Sequence, residues 1–339
     1  MERLQALLLV VIMLLFIPVG TVKGQQEGIE VVAQRGDGIE KLLKAHGLDP
    51  VAYTPMFVEL NRDNIGRNYT LFAGRKYIIP ATGEPVSGGS ATGKVVREYS
   101  IFGDAYSKVE IIDNRLGGAV IYLMSGHGGP DPGASGKYGK YLLTEDEYAY
   151  DVTLRLARNL IQHGALVYMI TRDENDGIRD QSILSADRDE KCYPSETIPV
   201  NQNSRLKQRT GAVNSLYSKY RGSYQRLVVI HLDSRSTGEN IDVFFYHHQN
   251  SAAGKTLAGN IHNTFREKYR KYQPNRSYHG TVSSRSGLWV IKNTNPPTVF
   301  IELGNIRNQR DQQRFVIYDN RQALANWIAE GIIKDYVSD

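Results

Sequence analysis

From Ala119 onward the chain alternates short, continuously apolar runs with longer amphipathic stretches, and this pattern limits the fold more than any other feature. The apolar runs predict strands at Ala119 to Met124, Leu166 to Ile170, Leu227 to His231, Ile241 to Tyr246, Leu288 to Ile291 and Thr298 to Leu303. The amphipathic stretches predict helices at Asp146 to His163, Leu206 to Tyr217, Ala252 to Tyr269 and Arg321 to Tyr336. Strands that are apolar at every position are typical of sheets covered by helices on both faces. We therefore predict an α/β domain with a twisted, mostly parallel sheet flanked by helices.

The N-terminus has the pattern of a secretory signal. Leu7 to Phe16 is an almost unbroken apolar run behind Arg3, and small side chains follow up to Gly24. An apolar run of about a dozen residues is shorter than the roughly 20 that span a bilayer. We expect residues 1–24 to be a signal peptide, leaving no membrane span after cleavage, with an uncleaved anchor as the alternative.

Cysteine content and charge narrow the chemistry. Cys192 is the single cysteine, which excludes an internal disulfide and a multi-cysteine zinc site, so His, Asp or Glu must hold any metal. The formal net charge of +5 favours polyanionic surroundings. Because the chain is predicted to be exported, we expect its polyanionic partner to be the cell wall and not nucleic acid.

Residues 25–80 are predicted to form a small β-α-β module. A strand at Val31-Val32 and a glycine-containing turn precede a helix at Ile39 to His46, and a second strand at Lys76 to Ile79 closes the module before Pro80.

This module resembles a LysM domain, although residues 49–66 are longer than that family usually allows. The residues that carry the resemblance are Gly36-Asp37, Ile39, Leu42, Leu43 and the closing run from Leu71 to Pro80. The resemblance implies binding to the glycan strands of peptidoglycan.

The segment from Ala81 to Lys94 is rich in Gly, Ser, Thr and Pro, which predicts a flexible linker. Residues 95–116 predict an added strand or hairpin that packs on the second domain. The linker and this added segment, 81–116, therefore separate the module from a second domain at 117–339.

Three candidate functional residues lie at predicted strand ends. His127 lies between glycines after the first strand, His231 ends the third, and Glu302 is the acidic residue of the last. The carboxyl ends of parallel strands meet at one edge of a sheet, where functional groups gather. Two histidines and a carboxylate can hold Zn²⁺ with an open position for hydrolysis. The alternative for His127 is a glycine-rich turn in which the histidine only faces solvent. For His231 it is a histidine at the edge of the core that hydrogen-bonds a neighbouring backbone group, and for Glu302 it is a structural ion pair.

Several ordered motifs resemble the zinc-dependent N-acetylmuramoyl-L-alanine amidase family. They are Ser125 to Ala134, the helix with Leu154, Ala157 and Leu160, Thr171-Arg172-Asp173, Arg209 with Asn214, Val229-Ile230-His231, and Phe300 to Gly304 with Asn308. The resemblance implies an amidase_3-like fold, His127 and His231 as zinc ligands, and Glu302 as the catalytic carboxylate.

The family's third ligand is a glutamate at the start of the first helix, and here the sequence departs from the pattern. The position five residues before Leu154 is Ala149, which cannot bind a metal. A two-residue lengthening lets Glu147 serve, so we predict Glu147 as the third ligand. Thr144-x-x-Glu147 is also a capping box, and if Glu147 caps the helix, Glu145 is the better ligand.

Other departures affect the surroundings of the site. Met124 and Asp233 replace an aspartate and an asparagine usual in the family, so we expect different contacts around the ligands. Residues 174–203 lengthen the connection before the Arg209 helix. This insertion is predicted to be a lid or a partner-docking segment, or else a surface loop without a role.

The sequence therefore predicts a secreted peptidoglycan hydrolase, periplasmic or extracellular, that cleaves the amide between N-acetylmuramic acid and L-alanine of the stem peptide with Zn²⁺. A partner protein that activates it is a further possibility raised by the insertion. The alternatives are a non-catalytic cell-wall binder with a degenerate amidase fold and a zinc peptidase acting on stem peptides.

Overall fold

The computed structural model describes residues 29–48, 50–61, 64–66, 70–80, 95–234 and 240–339. The predicted signal peptide and the predicted linker at 81–94 lie outside these ranges. The chain divides into two compact units, Met1–Ser87 and Gly88–Asp339. Among the described helices, none combines the length and the apolar character needed to cross a membrane.

In its described residues, the first unit contains a two-stranded sheet and two helices. Strand β1 (Ile29–Val32) pairs antiparallel with β2 (Lys76–Ile79), and between them lie α1 (Ile39–Ala45) and α2 (Pro50–Leu60). Its core includes Leu43, Phe57 and Tyr77. Helix α2 was not predicted, and it accounts for the long middle of the module. Its first residue is proline, whose fixed φ suits that position of a helix.

The second unit contains the remaining elements. In chain order its strands are β3 (Val96–Glu98), β4 (Lys108–Glu110), β5 (Val120–Ser125), β6 (Ser135–Tyr138), β7 (Tyr141–Thr144), β8 (Leu166–Met169), β9 (Thr171–Arg172), β10 (Lys191–Cys192), β11 (Glu196–Thr197), β12 (Gln225–Asp233), β13 (Phe244–His247), β14 (Thr281–Ser284) and β15 (Thr298–Asn305). Its helices are α3 (Glu145–Gln162), α4 (Gln202–Lys219), α5 (Ala252–Tyr272), α6 (Trp289–Asn293), α7 (Gln309–Val316) and α8 (Tyr318–Ser338).

A six-stranded sheet forms the centre of this unit, in the order β14-β13-β15-β12-β5-β8. Strands β8, β5, β12 and β15 are parallel, and β13 runs antiparallel to β15 with β14 parallel to β13. The mostly parallel α/β fold predicted from the sequence is confirmed. Between residues 95 and 116, β3 and β4 form an antiparallel ribbon whose Val109 is buried in the core of the unit.

One predicted strand is wrong. Leu288 to Ile291 belongs to a turn and helix α6, and the edge of the sheet is β14 instead. A four-residue apolar run has no periodicity that separates a strand from one turn of a buried helix. The antiparallel pair β6 and β7 and helix α7 were not predicted either.

The alternation of side chains along the strands divides the core into two layers. In β5, Ile121 and Leu123 pack on the face covered by α3, α5 and α8. Val120, Tyr122 and Met124 pack on the opposite face, which α4 and α6 cover. Helices on both faces explain why the strands are apolar at every position.

A buried ion network joins α3 to α8. Oδ2 of Asp151 accepts hydrogen bonds from Nε of Arg155 at 2.7 Å and from Nε of Arg321 at 2.6 Å. All three side chains are at most 2% exposed. Arg321 also donates to the backbone oxygens of Arg179 and Gln181, which ties the insertion to the helical layer.

Removing the central carboxylate should destabilise the domain strongly. Asp151→Asn leaves two guanidinium groups buried without their shared anion, and losing one partner of a buried pair costs about 3–5 kcal/mol. Denaturant unfolding should show this loss in the free energy of unfolding. The exposed Asp104→Asn is the control and should change it by no more than about 0.5 kcal/mol. Equal effects of both substitutions would contradict a structural role for the network.

Candidate metal centre

The loop after β5 presents His127 through an unusual backbone. His127 has φ 60°, a left-handed conformation that is rare for residues other than glycine and that often marks functional sites. Two nearby glycines leave no room for a side chain. A Cβ on Gly126 would lie 2.3 Å from the ring of His231, and one on Gly133, which has φ +70°, would lie 2.6 Å from the ring of His127. The glycines therefore allow both imidazoles to approach the same point.

Glu145 lies between the two histidines. Its Oε2 is 3.2 Å from Nε2 of His127, and its Oε1 is 2.8 Å from Nδ1 of His231. The two imidazole rings meet edge to face with their centroids 5.1 Å apart. One donor atom from each of the three residues lies within 4.8 Å of the others. This is a compact set of two nitrogens and one carboxylate.

The position of Glu145 follows from the start of helix α3. Glu145 is the first residue of the helix, where the helix dipole stabilises a negative charge. Backbone N–H groups of Ala134 and Leu232 donate to its two oxygens at 2.8 and 3.0 Å. The side chain is 4% exposed, so these contacts and the histidines hold it in one orientation.

Asp131 orients His127 from the other side. Its Oδ2 lies 3.0 Å from Nδ1 of His127 and accepts a 2.6 Å hydrogen bond from Nη2 of Arg205. A carboxylate that binds one ring nitrogen of a histidine sets which nitrogen is free for a metal. Asp131 thus leaves Nε2 of His127 to face Glu145. Asp131 was not predicted as a site residue, although it lies within the glycine-rich motif, four residues after His127.

The charges at the centre favour a cation. Burial opposes protonation of His127, but contacts with Asp131 and Glu145 outweigh it and raise its pKa to about 10. Burial lowers the pKa of His231. Burial also disfavours the charged form of Glu145, yet its hydrogen bonds to both histidines hold its pKa well below the usual range. The carboxylates therefore favour one positive charge between them, which a proton or a metal ion can supply.

Glu302 lies beside His231 on the neighbouring strand. The two residues are register partners in the parallel pair β12 and β15. Partners in a parallel pair point to the same face of the sheet, and Phe300, two residues earlier, stacks on the His231 ring with centroids 4.4 Å apart. Glu302 is half-buried while its neighbours Ile301 and Leu303 are fully buried. Glu302 therefore lies next to His231, one of the two histidines of the site.

The structure does not bring Glu147, the third ligand predicted from the sequence, to the histidines. Oε2 of Glu147 accepts from Nη2 of Arg179 at 2.8 Å, and Oε1 accepts from the backbone N–H of Asp187 at 3.1 Å. Burial raises its pKa to about 7, even though Arg179 acts in the opposite direction. Glu147 binds the insertion, and Glu145, the alternative considered from the sequence, takes the place between the histidines.

The insertion at residues 174–203 packs against the glycine-rich loop that carries His127. Oε2 of Glu190 accepts from the backbone N–H of Gly129 at 2.6 Å, and a Cβ on Gly129 would lie 3.0 Å from Ile198. Strands β9, β10 and β11 form a small antiparallel sheet that includes the buried Cys192. Segment 174–203 is therefore packed against the site, and whether it also moves as a lid stays a prediction.

Residues 121–334 match the family model for N-acetylmuramoyl-L-alanine amidase, Amidase_3. The chain belongs to this amidase family. The probable cell wall amidase LytH of Staphylococcus aureus is 26% identical over 219 residues, which are 65% of this chain and 59% of LytH. The chain thus spans less than two thirds of the length of this relative. The family predicted from the sequence is confirmed.

Solved structures of similar fold include two amidases. CwlD of Clostridioides difficile, in complex with the GerS lipoprotein, is 22% identical with a TM-score of 0.49, covering 65% of this chain and 99% of CwlD. AmiC2 of Nostoc punctiforme is 20% identical with a TM-score of 0.46, covering 66% of this chain and 99% of AmiC2.

The donor set fits zinc. Two imidazoles and one carboxylate are the protein ligands of many hydrolytic zinc sites, in which the fourth position stays open. The side chains of His127 and His231 are 25% and 17% exposed, so the donor set can be reached from solvent. Cys192, the single cysteine of the chain, lies in strand β10, which pairs with β11. It is not part of this donor set.

The two glutamates of helix α3 should behave differently when they are neutralised. Glu145→Gln removes the negative charge between the histidines and should weaken zinc binding at least tenfold. Glu147→Gln changes the same chemical group two residues away and should keep one zinc per chain. Metal analysis of both variants after dialysis against a zinc buffer measures the difference. Retention of zinc by Glu145→Gln and its loss from Glu147→Gln would return the ligand role to Glu147.

Proposed function

We propose that this protein is a zinc-dependent peptidoglycan hydrolase that cleaves the amide between N-acetylmuramic acid and L-alanine of the stem peptide. One observation carries the proposal. Two imidazoles and a buried carboxylate converge at the carboxyl edge of the sheet, and Glu302 stands beside them in register with His231. Family membership supplies the substrate class.

The residues have separate roles in this proposal. His127, Glu145 and His231 hold the metal, and Asp131 keeps His127 in the tautomer that offers Nε2. Zinc at such a site polarises the scissile carbonyl and makes water more acidic. Glu302 accepts the proton of the attacking water and returns it to the leaving nitrogen.

The half-buried position of Glu302 suits this role. Glu302 is partly removed from water and lies next to His231 in the sheet, where a carboxylate can reach a water molecule beside the histidines. Its neighbours hold the backbone rigidly, because β15 lies in the middle of the sheet between β12 and β13. In this proposal the central sheet fixes the position of the proton acceptor.

Substrate and location are proposed from the same family. We infer that the protein acts outside the cytoplasm, periplasmically or extracellularly, after cleavage of its signal at residues 1–24. The LysM-like module would hold the glycan strand while the catalytic unit reaches the stem peptide. Tethering a catalytic unit to an insoluble polymer raises its local concentration there. The complex of CwlD with the GerS lipoprotein supports a partner protein as a further proposal.

Glu302→Gln should separate metal binding from catalysis. The variant keeps all three proposed ligands and should bind one zinc per chain, but without a base the amide hydrolysis should fall about 10²–10⁴-fold. Release of intact stem peptides from purified peptidoglycan measures the rate, and mass spectrometry identifies the bond. Activity equal to the wild type would remove Glu302 from the mechanism.

The products decide between this function and its alternatives. An amidase releases the whole stem peptide with a free L-alanine amino terminus and leaves the glycan strand intact. Shortened stem peptides would identify a peptidase instead. Zinc-loaded protein that binds peptidoglycan and releases nothing would identify a binding protein.

The module should contribute to binding and not to chemistry. A chain that lacks residues 25–80 should bind insoluble peptidoglycan more weakly in a sedimentation assay, because it loses the tether. Its hydrolysis of soluble muropeptides should stay within about twofold of the full chain, because the catalytic unit has its own core. Unchanged sedimentation would show that the module has another role.

A further inference from the structure

Helix α4 presents two arginines to the loop that carries His127. Arg205 and Arg209 are four residues apart, so they lie on the same face of the helix. Nη2 of Arg205 donates to Oδ2 of Asp131 at 2.6 Å, and Nη2 of Arg209 donates to the backbone oxygen of His127. One arginine therefore holds the carboxylate that contacts the His127 ring, and the other holds the His127 backbone directly.

Arg209 is buried more completely than is usual for an arginine. The residue is 5% exposed, and its Nε is buried without a hydrogen-bond partner among the described residues. Taking a guanidinium out of water is costly, and an apolar side chain of similar volume often fills such a position at a lower cost. The burial of this charge is therefore best explained by the group that Nη2 of Arg209 contacts.

That group is the carbonyl of His127, whose backbone needs support. Among the described residues other than glycine, His127 is the one with a positive φ, and such a backbone persists only where the surrounding contacts hold it. On either side of it, the N–H of Gly126 donates to the oxygen of Ile230 and the N–H of Gly128 to the oxygen of Asp131, both at 2.7 Å. Arg209 adds the contact to the carbonyl between these two glycines.

We propose that Arg209 is a positioning residue of the metal centre. By holding the carbonyl of His127, it keeps the imidazole directed at Glu145 and His231. The inference rests on the proposed function, because it treats His127 as a zinc ligand. Arginine suits this task, since its guanidinium stays charged when it is buried and a charged donor makes a stronger hydrogen bond than a neutral one. Arg209 is not part of the donor set and acts through His127.

The test measures zinc affinity and does not depend on hydrolysis. Full-length protein is titrated with zinc in competition with a chromophoric chelator. Arg209→Met keeps an unbranched side chain but removes the charge and its donors, so it should weaken zinc binding about 10–100-fold, as expected for the loss of a group that orients a ligand. Arg209→Lys should recover part of this loss, because an ammonium group can still donate to a carbonyl.

Two control variants separate this effect from loss of charge and loss of stability. Lys207→Met removes a positive charge from the exposed side of α4 and should bind zinc like the wild type. Arg226→Met removes a buried arginine that donates to Asp335, and it should lower the free energy of unfolding without changing zinc affinity. Visible absorption of bound Co²⁺, which reports the geometry of its ligands, should change in Arg209→Met and stay the same in Arg226→Met.

The outcomes distinguish this inference from the function on which it rests. Wild-type zinc affinity in Arg209→Met would overturn the inference and leave the proposed function standing. Equal losses of affinity in Arg209→Met and Arg226→Met would also overturn it, since removal of any buried arginine would then have the same effect. Wild-type protein that binds no zinc would contradict the proposed function, and this inference with it.

Discussion

The contact of Glu145 with both histidines is the interaction on which the rest of the site depends. His127 comes from the loop after β5 and His231 from β12, so only a residue reaching from a third element can join them. The start of α3 provides that residue, and its dipole and two backbone N–H groups hold the carboxylate in place. The close approach in turn requires Gly126 and Gly133. A parallel sheet, a glycine loop and a helix N-terminus are thus combined around one carboxylate.

Much of the fold could be predicted because its signals are local. Continuous apolar runs identified the central strands, and the predicted positions of His127, His231 and Glu302 in the carboxyl halves of parallel strands or just after them indicated one edge of the sheet. The position of Glu145 between the histidines was harder to predict, because it depends on where α3 begins. The hairpin β6 and β7, which was not predicted, leads directly into the helix and makes Glu145 its first residue. Counting back from the apolar positions of the helix could not detect this.

The insertion shows a second limit of prediction, because its role depends on long-range contacts. Glu147 binds Arg179, and Glu190 binds the N–H of Gly129, over separations of 32 and 61 residues. No sequence spacing indicates such pairs. The first turn of α3 therefore has acids in two environments: Glu145 contacts the histidines, while Glu147 contacts the insertion.

Anomalous X-ray scattering at the zinc edge, measured on crystals of the full-length protein, tests the central claim most directly. The account predicts one anomalous peak bound by Nε2 of His127, a nitrogen of His231 and an oxygen of Glu145, with Glu302 beside the open position. A peak whose ligands include Glu147 instead of Glu145, or crystals grown with zinc that show no peak between the histidines, would contradict it.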